Sequence, residues 1–406
     1  YVAQYPGQSV PQVQSTLAKL SLCRTAALGG HQHRCGDCDH VAMVYNSCGD
    51  RYCPTCSGAR KSNWLESTGD LIFDGVDHFQ VVFTLPSELS RLALGNRKPI
   101  YELLFASAWS ALKQTIESQH GFDPAALMVL HTWNQKLDAH AHVHVVVPGC
   151  GPALDGSGVR FAQRGDDETS RGRYLVDADQ LRQAYREIFL RGLDRLHQQD
   201  ALKLDGEFEP LRLEDKWAQL LADLGASTWV SYIQPPPKPG QNAAQVLKYL
   251  ARYLGGGPIS ERRIVSTDQD DVTFMARQGE TVGGDRKQIP ITLSQVEFTR
   301  RWCLHVLPAG YTRTRRFGGW SNPRRETYLE LFAKQLDAAE IPLPPEATEF
   351  GPFEELVAAS GEDEHKSCPG PCPKCGSPLI PHRFQEKPSW SQIMASPHRP
   401  AWYLRH

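Results

Sequence analysis

The chain has 406 residues, which is enough for two or three domains and at least one large hydrophobic core. Its formal net charge of −2 excludes a global electrostatic attraction to nucleic acid but leaves room for local basic surfaces. No apolar run is long enough to span a membrane, and we expect no signal peptide. Nine of the 11 cysteines lie in two clusters with metal-ligand spacing, which favours zinc over a disulfide framework and predicts a cytoplasmic protein.

The first cysteine cluster lies in residues 1–70, which we predict to form a zinc-binding domain that contacts DNA. Its two C-x-x-C pairs have the spacing of one four-thiolate site and comprise Cys35, Cys38, Cys53 and Cys56. A second zinc could use Cys23, His31 and Cys48 with one further histidine, and the sequence leaves this partition open. Closed four-coordinate zinc sites fold small domains, so we expect a structural role here.

Residues 71–340 are predicted to form an α+β domain with an antiparallel sheet, inserted helices and a basic C-terminal part. The predicted strands are 79–84, 127–133, 140–147, 229–233, 263–265, 272–275 and 288–291. The predicted helices are 100–119, 178–197, 213–224, 242–254 and 293–306. A Gly/Asp-rich linker is expected at 149–173.

Three histidines occupy alternate positions, His140, His142 and His144, directly before a run of valines. A β-strand sends alternate side chains to the same face, so the three imidazoles would project together. A metal site explains this pattern better than a half-exposed polar strand. If six residues form the preceding turn, His131 faces His142 across the hairpin and Trp133 faces His140.

The predicted helix 242–254 carries Tyr249 and Tyr253, four residues apart and therefore on one helical face. This spacing alone is typical of core packing. However, Lys248 and Arg252 flank the phenols, and positive neighbours favour a phenolate and attract a phosphate. A metal held by imidazoles, together with paired tyrosines, indicates transesterification at a phosphate, and no Walker-type nucleotide loop is present.

Seven arginines interleaved with aromatic residues lie between residues 300 and 325. Cations pair with phosphates and rings stack on bases, so this segment is a candidate for binding single-stranded nucleic acid. The competing interpretation is a solvated charged face. The four residues that we expect to contact DNA are Arg313, Arg315, Arg316 and Trp320.

Residues 341–406 are predicted to be a Pro/Glu-rich linker followed by a small zinc-knuckle-like tail. The tail has a C-x-x-x-C-x-x-C pattern with a histidine near it, which suits another zinc ion. Its candidate ligands are Cys368, Cys372, Cys375 and His382, with His365 as an alternative.

The chain resembles the two-tyrosine rolling-circle insertion-sequence transposases of the IS91 family, members of the HUH endonuclease superfamily. The stretches that carry the resemblance are CRTAALGGH, YNSCGDRYCPTC, LHTWNQKLDAHAHVHVVVPG, VLKYLARYLGGGPIS and HVLPAGYTRTRRFG, which run in order from Cys23 to about Trp320. Two positions depart from the family pattern. Ala141 stands where proline is expected, and Tyr52 stands where related sequences carry histidine.

The resemblance implies an RRM-like antiparallel sheet with His142 and His144 as paired metal ligands on a central strand. It implies that Tyr249 and Tyr253 are nucleophiles that form 5′-phosphotyrosine links. Related enzymes take a third ligand from a neighbouring strand or from the tyrosine helix. The candidates here are His131 and Gln245, and we favour His131 because imidazole is the better ligand.

The implied cofactors are Mg²⁺ or Mn²⁺ at the histidines and structural Zn²⁺ at the cysteines. The implied partners are hairpin-bearing single-stranded transposon ends and target DNA in a bacterial nucleoid, without a membrane. Three other functions fit parts of the pattern. They are a zinc-stabilised nucleic-acid-binding protein without catalysis, a replication initiator or relaxase with the same tyrosine chemistry, and a hydrolase whose nucleophile is metal-bound water.

Overall fold

The computed structural model describes residues 1–56, 68–73, 76–162, 175–234, 257–277, 287–339, 370–398 and 400. Its helices are α1 (Pro11–Ser21), α2 (Ser90–Gly95), α3 (Arg97–His120), α4 (Ala178–Gln198), α5 (Glu214–Ala226), α6 (Gln295–Cys303), α7 (Arg325–Ala338) and α8 (Trp390–Ala395). Among the described residues, none of these helices combines the length and the apolar character that a membrane span requires.

The strands in chain order are β1 (Gly30–Cys35), β2 (Val41–Tyr45), β3 (His78–Thr84), β4 (Ala125–Trp133), β5 (Ala139–Pro148), β6 (Cys150–Pro152), β7 (Val159–Phe161), β8 (Val230–Gln234), β9 (Ile264–Thr267), β10 (Asp271–Arg277), β11 (Gln288–Ser294), β12 (Thr314–Gly318) and β13 (Leu379–Gln385). Five of them form one sheet in the order β12–β4–β5–β3–β8, in which every neighbouring pair is antiparallel. The predicted mixture of helices with antiparallel sheets is confirmed, and the histidine strand β5 lies in the middle of this sheet.

One face of the five-stranded sheet is covered by α3, with α4 packed against α3. Residues Leu104, Ala108 and Leu112 recur every four positions on α3, and all are fully buried. They share a core with Val143 and Val145, which alternate along β5. The apolar side chains that repeat about every 3.6 residues on the helix therefore pack against those that repeat every two residues on the strand, in one apolar layer.

The opposite face of the same sheet has an apolar half and a polar half. In the apolar half, Leu127 of β4 and Val146 of β5 pack with Trp320 and with Phe332 of α7. In the polar half, the same face of β5 carries His142 and His144 in place of aliphatic side chains. The valine run is thus buried on both faces, whereas the histidines occupy the end of the strand that α7 does not cover.

The two ends of the chain share a second sheet, in the order β13–β1–β2. Strand β13 lies antiparallel to β1, with Gly30 opposite Gln385 and Cys35 opposite Leu379. The structure pairs the predicted C-terminal tail with the N-terminal sheet, to which the tail supplies one of the three strands. Backbone hydrogen bonds between strands do not require closeness in sequence.

Besides β1, β2 and β13, two further segments without a predicted strand contain strands in the structure. The expected linker at 149–173 includes the short antiparallel pair β6–β7. The arginine-rich run that precedes Gly318 forms β12, at the edge of the five-stranded sheet. Charged side chains are common on edge strands, where they are compatible with exposure on one side. The strands β9, β10 and β11 form a separate antiparallel sheet close to their predicted positions.

Trp320 is fully buried in the apolar half of the sheet face. We expect Trp320→Ala to lower the free energy of unfolding by about 3–5 kcal/mol, the usual cost of emptying a large aromatic site. Urea denaturation followed by circular dichroism measures this change. The control is Leu331→Ala on α7, where the side chain is 45% exposed and the expected change is within about 0.5 kcal/mol. An unchanged Trp320→Ala midpoint would contradict the core role.

Candidate functional site

The pairing of β4 with β5 decides which histidines meet. His131 lies directly opposite His142, as the hairpin argument predicts. The second predicted pair is wrong, because a bulge between His131 and Trp133 places Trp133 opposite Ala139 rather than His140. The connecting turn therefore has five residues rather than six. The extra residue lies in β5, where His140 and Ala141 stand opposite the single residue Thr132, and it bends that strand next to the histidines, as β-bulges do.

Three histidines converge on one point of this sheet face. The ring centroids of His131 and His144 are 4.6 Å apart, those of His142 and His144 are 4.9 Å apart, and those of His131 and His142 are 5.4 Å apart. One ring nitrogen from each residue lies within 4.8 Å of the others. These side chains can hold one metal ion, with room for further ligands on the open side.

The hydrogen-bonding pattern of the His131 and His142 rings leaves one nitrogen of each ring available to bind a metal ion. Nδ1 of His142 lies 2.9 Å from the carbonyl oxygen of His140, so Nδ1–H donates to it and Nε2 keeps its lone pair. Nε2 of His131 is buried and has no hydrogen-bond partner within the described part of the chain. A buried polar nitrogen without a partner is costly, and a metal ion on this face would satisfy it.

Gln80 of β3 orients the third ring. Its amide nitrogen lies 2.8 Å from Nδ1 of His144, and the exchange of amide oxygen and nitrogen leaves the heavy-atom positions the same. With the oxygen facing Nδ1, His144 donates Nδ1–H and presents Nε2 to a metal. We did not predict Gln80 as a site residue, although a buried glutamine in the otherwise apolar strand 79–84 was a usable signal.

Burial keeps these rings neutral. Desolvation, together with the neighbouring histidines, lowers the pKa of His131 and His142 well below the usual value, and burial lowers the pKa of His144 to about 4. A neutral imidazole is the form that ligates a metal, so at neutral pH no proton has to leave before binding.

Helix α6 and the segment after it hold the turn of the histidine hairpin. Arg301 forms an ion pair of 2.8 Å with Asp138 in the turn. His305 is fully buried, and its Nε2 lies 3.0 Å from the carbonyl oxygen of Leu137. Sequence reasoning did not identify these positioning contacts, because they join residues more than 160 positions apart.

The cysteines form two four-thiol groups, but not the groups that the sequence predicts. The first group contains Cys23, Cys48, Cys53 and Cys56, with measured sulfur–sulfur distances of 3.6–3.7 Å. The predicted site of Cys35, Cys38, Cys53 and Cys56 is wrong, because its two C-x-x-C pairs belong to different groups. His31 is in neither group and instead packs against Phe384 at 4.8 Å.

The first thiol group has the chemistry of a structural zinc site. Backbone N–H groups of Cys48 and Asp50 point at the sulfur atoms of Cys23 and Cys48, each at 3.4 Å. The Cys48 thiol, hydrogen-bonded to Cys23, lowers the pKa of Cys23 to about 7. Hydrogen-bonded thiolates in a closed tetrahedral set bind Zn²⁺ without leaving a position for substrate.

Tyr52, inside this group's loop, joins it to the five-stranded-sheet region. Its hydroxyl accepts a hydrogen bond of 2.8 Å from the backbone N–H of Leu307, and its ring meets Trp302 edge-on at 6.1 Å. Arg51 donates to the carbonyl oxygen of Tyr311 at 2.7 Å. The residue that departs from the family's histidine therefore serves as a buried docking contact in this structure.

The second thiol group joins the chain ends and contains Cys35, Cys38, Cys372 and Cys375. The predicted tail site is thus also corrected, since its two described cysteines lie against the N-terminal pair. His382 is exposed on β13 and is not part of the group. Cys368 and His365 lie outside the described residues.

Two family models match this chain. The model described as "Putative transposase" matches residues 125–327, and the model described as "Transposase zinc-binding domain", of the IS91 type, matches residues 1–85. The first match includes the whole histidine hairpin and spans half of the chain.

Two curated proteins are also similar. The chain is 33% identical to "Putative transposase y4qJ" of Sinorhizobium fredii (strain NBRC 101917 / NGR234), over 85% of this chain and 83% of that protein. This chain belongs to the IS91 family of transposases. It is also 27% identical to "Transposase for insertion sequence element IS801" of Pseudomonas savastanoi pv. phaseolicola, over 83% of this chain and 77% of that protein. No solved structure matches the transposase.

Two of the four predicted DNA contacts in this transposase are engaged elsewhere. Trp320 is fully buried, so it is not available to stack on a base. Arg315 forms a bidentate ion pair with Glu102 and lies over the ring of Phe105 at 4.3 Å. The structure does not support these two predicted DNA contacts, because Trp320 packs in the apolar half of the sheet face and Arg315 is paired with Glu102.

Of the other two predicted DNA contacts, Arg313 lies near the histidines, whereas Arg316 lies in the apolar half of the histidines' sheet face. The guanidinium carbon of Arg313 lies 5.8 Å from the ring centroid of Trp133, and that ring stacks on His131 at 4.7 Å. Arg316 is opposite Leu127, on the sheet face that also carries His131. The predicted catalytic residues and the alternative ligand lie outside the described residues; they are Tyr249, Tyr253, Lys248, Arg252 and Gln245.

The geometry predicts different metal-binding effects for two histidines of the transposase. His131→Ala removes a nitrogen that points into the cluster, and we expect the affinity for Mn²⁺ to fall by more than about tenfold. The control is His140→Ala, which keeps the backbone carbonyl that orients His142 and should leave the affinity nearly unchanged. Isothermal titration calorimetry with Mn²⁺ measures both. Equal affinities in the two variants would contradict this ligand assignment.

Gln80→Leu should weaken Mn²⁺ binding by about 10–100-fold, because Nδ1 of His144 loses the group that fixes its ring and tautomer. Gln80→Glu keeps an acceptor oxygen and should retain most of the affinity. The control Gln183→Leu changes an exposed glutamine on α4 and should have no effect. The same titration decides the outcome, and full affinity in Gln80→Leu would remove Gln80 from the site.

Proposed function

We propose that this transposase nicks and rejoins single-stranded DNA at transposon ends by metal-assisted tyrosine transesterification, with a 5′-phosphotyrosine intermediate. The histidine cluster carries the proposal. Three imidazoles on one sheet face, of which His131 is buried and His142 and His144 are half-buried, offer their nitrogens within 4.8 Å of one another. The surrounding chain belongs to a transposase family, for which DNA strand cleavage and transfer is the expected reaction.

The closed thiol groups and the open histidine site have different uses. Four thiols complete the coordination of a zinc ion, and such a site has no position for substrate. Three imidazoles leave positions for water and phosphate oxygens. We therefore assign Mg²⁺ or Mn²⁺ to His131, His142 and His144, and Zn²⁺ to the cysteines.

Chain connectivity supports Tyr249 and Tyr253 as the nucleophiles. Strand β8 ends at Gln234, which lies opposite Gln80, the residue that contacts His144. Tyr249 follows Gln234 by only 15 positions in the sequence. The chain thus leaves the sheet next to the metal cluster shortly before it reaches both tyrosines.

Charge near the cluster supports DNA as the substrate. Arg313, beside Trp133, lies close enough to His131 to oppose protonation of that ring. A guanidinium next to a metal site suits a phosphate that bridges both. Arg316 adds a second cation on the same face of the sheet. We assign these two arginines, with Lys248 and Arg252, to the phosphate backbone of the substrate.

The sheet itself supports the HUH assignment. Its five strands are antiparallel throughout, and the central strand β5 presents His142 and His144 on one face while α3 covers the other. We assign this sheet to the RRM-like HUH fold. In this arrangement the helix side is apolar core, and we assign metal, tyrosines and DNA to the histidine end of the opposite side.

The proposed step exchanges one phosphodiester bond for another. A divalent metal, when bound, would polarise the scissile phosphate. The phenolic oxygen of one tyrosine loses its proton and attacks phosphorus, a tyrosine–phosphate bond forms, and the bond to the 3′-oxygen breaks. That oxygen leaves as a free 3′-hydroxyl after it gains a proton. Because the number of ester bonds is unchanged, a second strand can be rejoined without ATP.

The decisive experiment detects the covalent intermediate. The full chain is incubated with a labelled single-stranded transposon end and Mn²⁺, and adducts that resist denaturant are separated on a gel. We expect an adduct with the parent protein and none with the Tyr249→Phe/Tyr253→Phe double variant. His144→Ala should reduce adduct formation by at least about a hundredfold, since the metal loses a ligand.

Tyr45→Phe, a change in strand β2 of the N-terminal sheet, is the matched control and should leave the adduct unchanged. Cleaved DNA without any adduct would favour hydrolysis by metal-bound water and overturn the proposal. DNA binding without cleavage would indicate a binding protein. An adduct that persists in the double tyrosine variant would show that another residue is the nucleophile.

A further inference from the structure

Four sulfur atoms from the two ends of the chain meet in one group. The distance between the sulfur atoms of Cys35 and Cys375 is 3.4 Å, and Cys38 lies 3.5 Å from both Cys372 and Cys375. The partners are more than 330 positions apart in the sequence. A Zn–S bond of about 2.3 Å gives a tetrahedron whose edges are about 3.8 Å, close to these spacings.

Both cysteine pairs sit in tight turns that aim their sulfur atoms at a common point. In the N-terminal turn, the backbone N–H of Cys35 donates to the carbonyl oxygen of His40 at 2.8 Å. In the C-terminal turn, Cys372 donates to Ser377 and Gly376 donates to Cys372, each at 2.8 Å. Gly376 has a positive φ of 79°, a conformation that suits glycine. Two such C-x-x-C turns facing each other are the arrangement of a four-thiolate zinc site.

Apolar packing between the tail and the N-terminal sheet is small. The buried members of this cluster are only Cys35, Cys372 and Leu379. On β13, Ile380 and Phe384 are 60% and 62% exposed. A cluster of this size provides little hydrophobic stabilisation, whereas a four-thiolate zinc site contributes folding free energy directly.

We propose that one Zn²⁺ bound by Cys35, Cys38, Cys372 and Cys375 fastens the C-terminal segment to the N-terminal sheet. Residues 370–398 are then part of the zinc-binding unit, although the matching zinc-domain model stops at residue 85. The unit is complete only after the whole intervening chain has been made. It closes a loop between Cys38 and Cys372, which are 334 positions apart in the sequence.

The C-terminal segment also forms hydrogen bonds beside the first thiol group. The Lys387 ammonium donates to the carbonyl oxygen of Cys48 at 2.9 Å, and Asn46 donates to the carbonyl oxygen of Gln385 at 3.4 Å. Detachment of the tail would therefore remove contacts beside the other zinc ligands, without removing any of those ligands.

The test measures zinc content and tail attachment in the full chain. A protease recognition site is placed between residues 345 and 365, and the chain is cut after purification. We expect the cut tail to co-elute with the rest of the protein and to separate after treatment with a zinc chelator. Cys372→Ser/Cys375→Ser should contain one zinc fewer per chain by mass spectrometry, and its cut tail should separate without chelator.

Two variants make the result specific. Cys53→Ser/Cys56→Ser should also lose one zinc, yet keep the cut tail attached. Cys375→His replaces an exposed ligand by another zinc ligand and should restore both zinc and attachment. Unchanged zinc content in Cys372→Ser/Cys375→Ser, or a tail that stays bound without zinc, would overturn the proposal. Neither readout depends on DNA cleavage, so failure here is separable from failure of the proposed reaction.

Discussion

The antiparallel pairing of β4 with β5 is the constraint on which the site depends. It places His131 opposite His142 and, through the same register, directs Val143 and Val145 into the core beneath α3. A slip of one residue would exchange the two faces, so imidazoles would enter the apolar layer and valines would leave it. Core packing on one face thereby enforces metal-ligand geometry on the other.

The residues around the histidines set the protonation and the ring orientation of the imidazoles. Burial lowers the pKa of His131, whose ring is stacked on Trp133, and this keeps the imidazole neutral. Gln80 contacts Nδ1 of His144, and the carbonyl oxygen of His140 accepts a hydrogen bond from Nδ1 of His142. These contacts leave Nε2 of both rings for a metal ion. Trp320 is buried in the apolar half of the sheet face and is therefore not available to contact a substrate. The prediction that it contacts DNA rested only on its position in a basic segment.

The two thiol groups organise the periphery of the protein. One lies beside Tyr52, whose hydrogen bond to Leu307 connects the N-terminal region to the segment that supports the histidine turn. The other joins the tail to the N-terminal sheet. Both groups bring together four cysteine sulfur atoms from separate segments of the chain, as structural zinc sites do.

Local periodicity determined a large part of this protein. Alternation along β5 predicted the histidine face, the 3.6-residue period predicted α3, and the short turn predicted that His131 meets His142. The partition of the cysteines could not be read from spacing, because both C-x-x-C pairs fit either group and the partners of Cys35 are more than 330 positions away. The bulge between His131 and Trp133 and the ion pair of Arg315 with Glu102 were likewise decided by contacts between distant segments. Sequence spacing fixes which side chains share a face, whereas only tertiary contacts decide which faces meet.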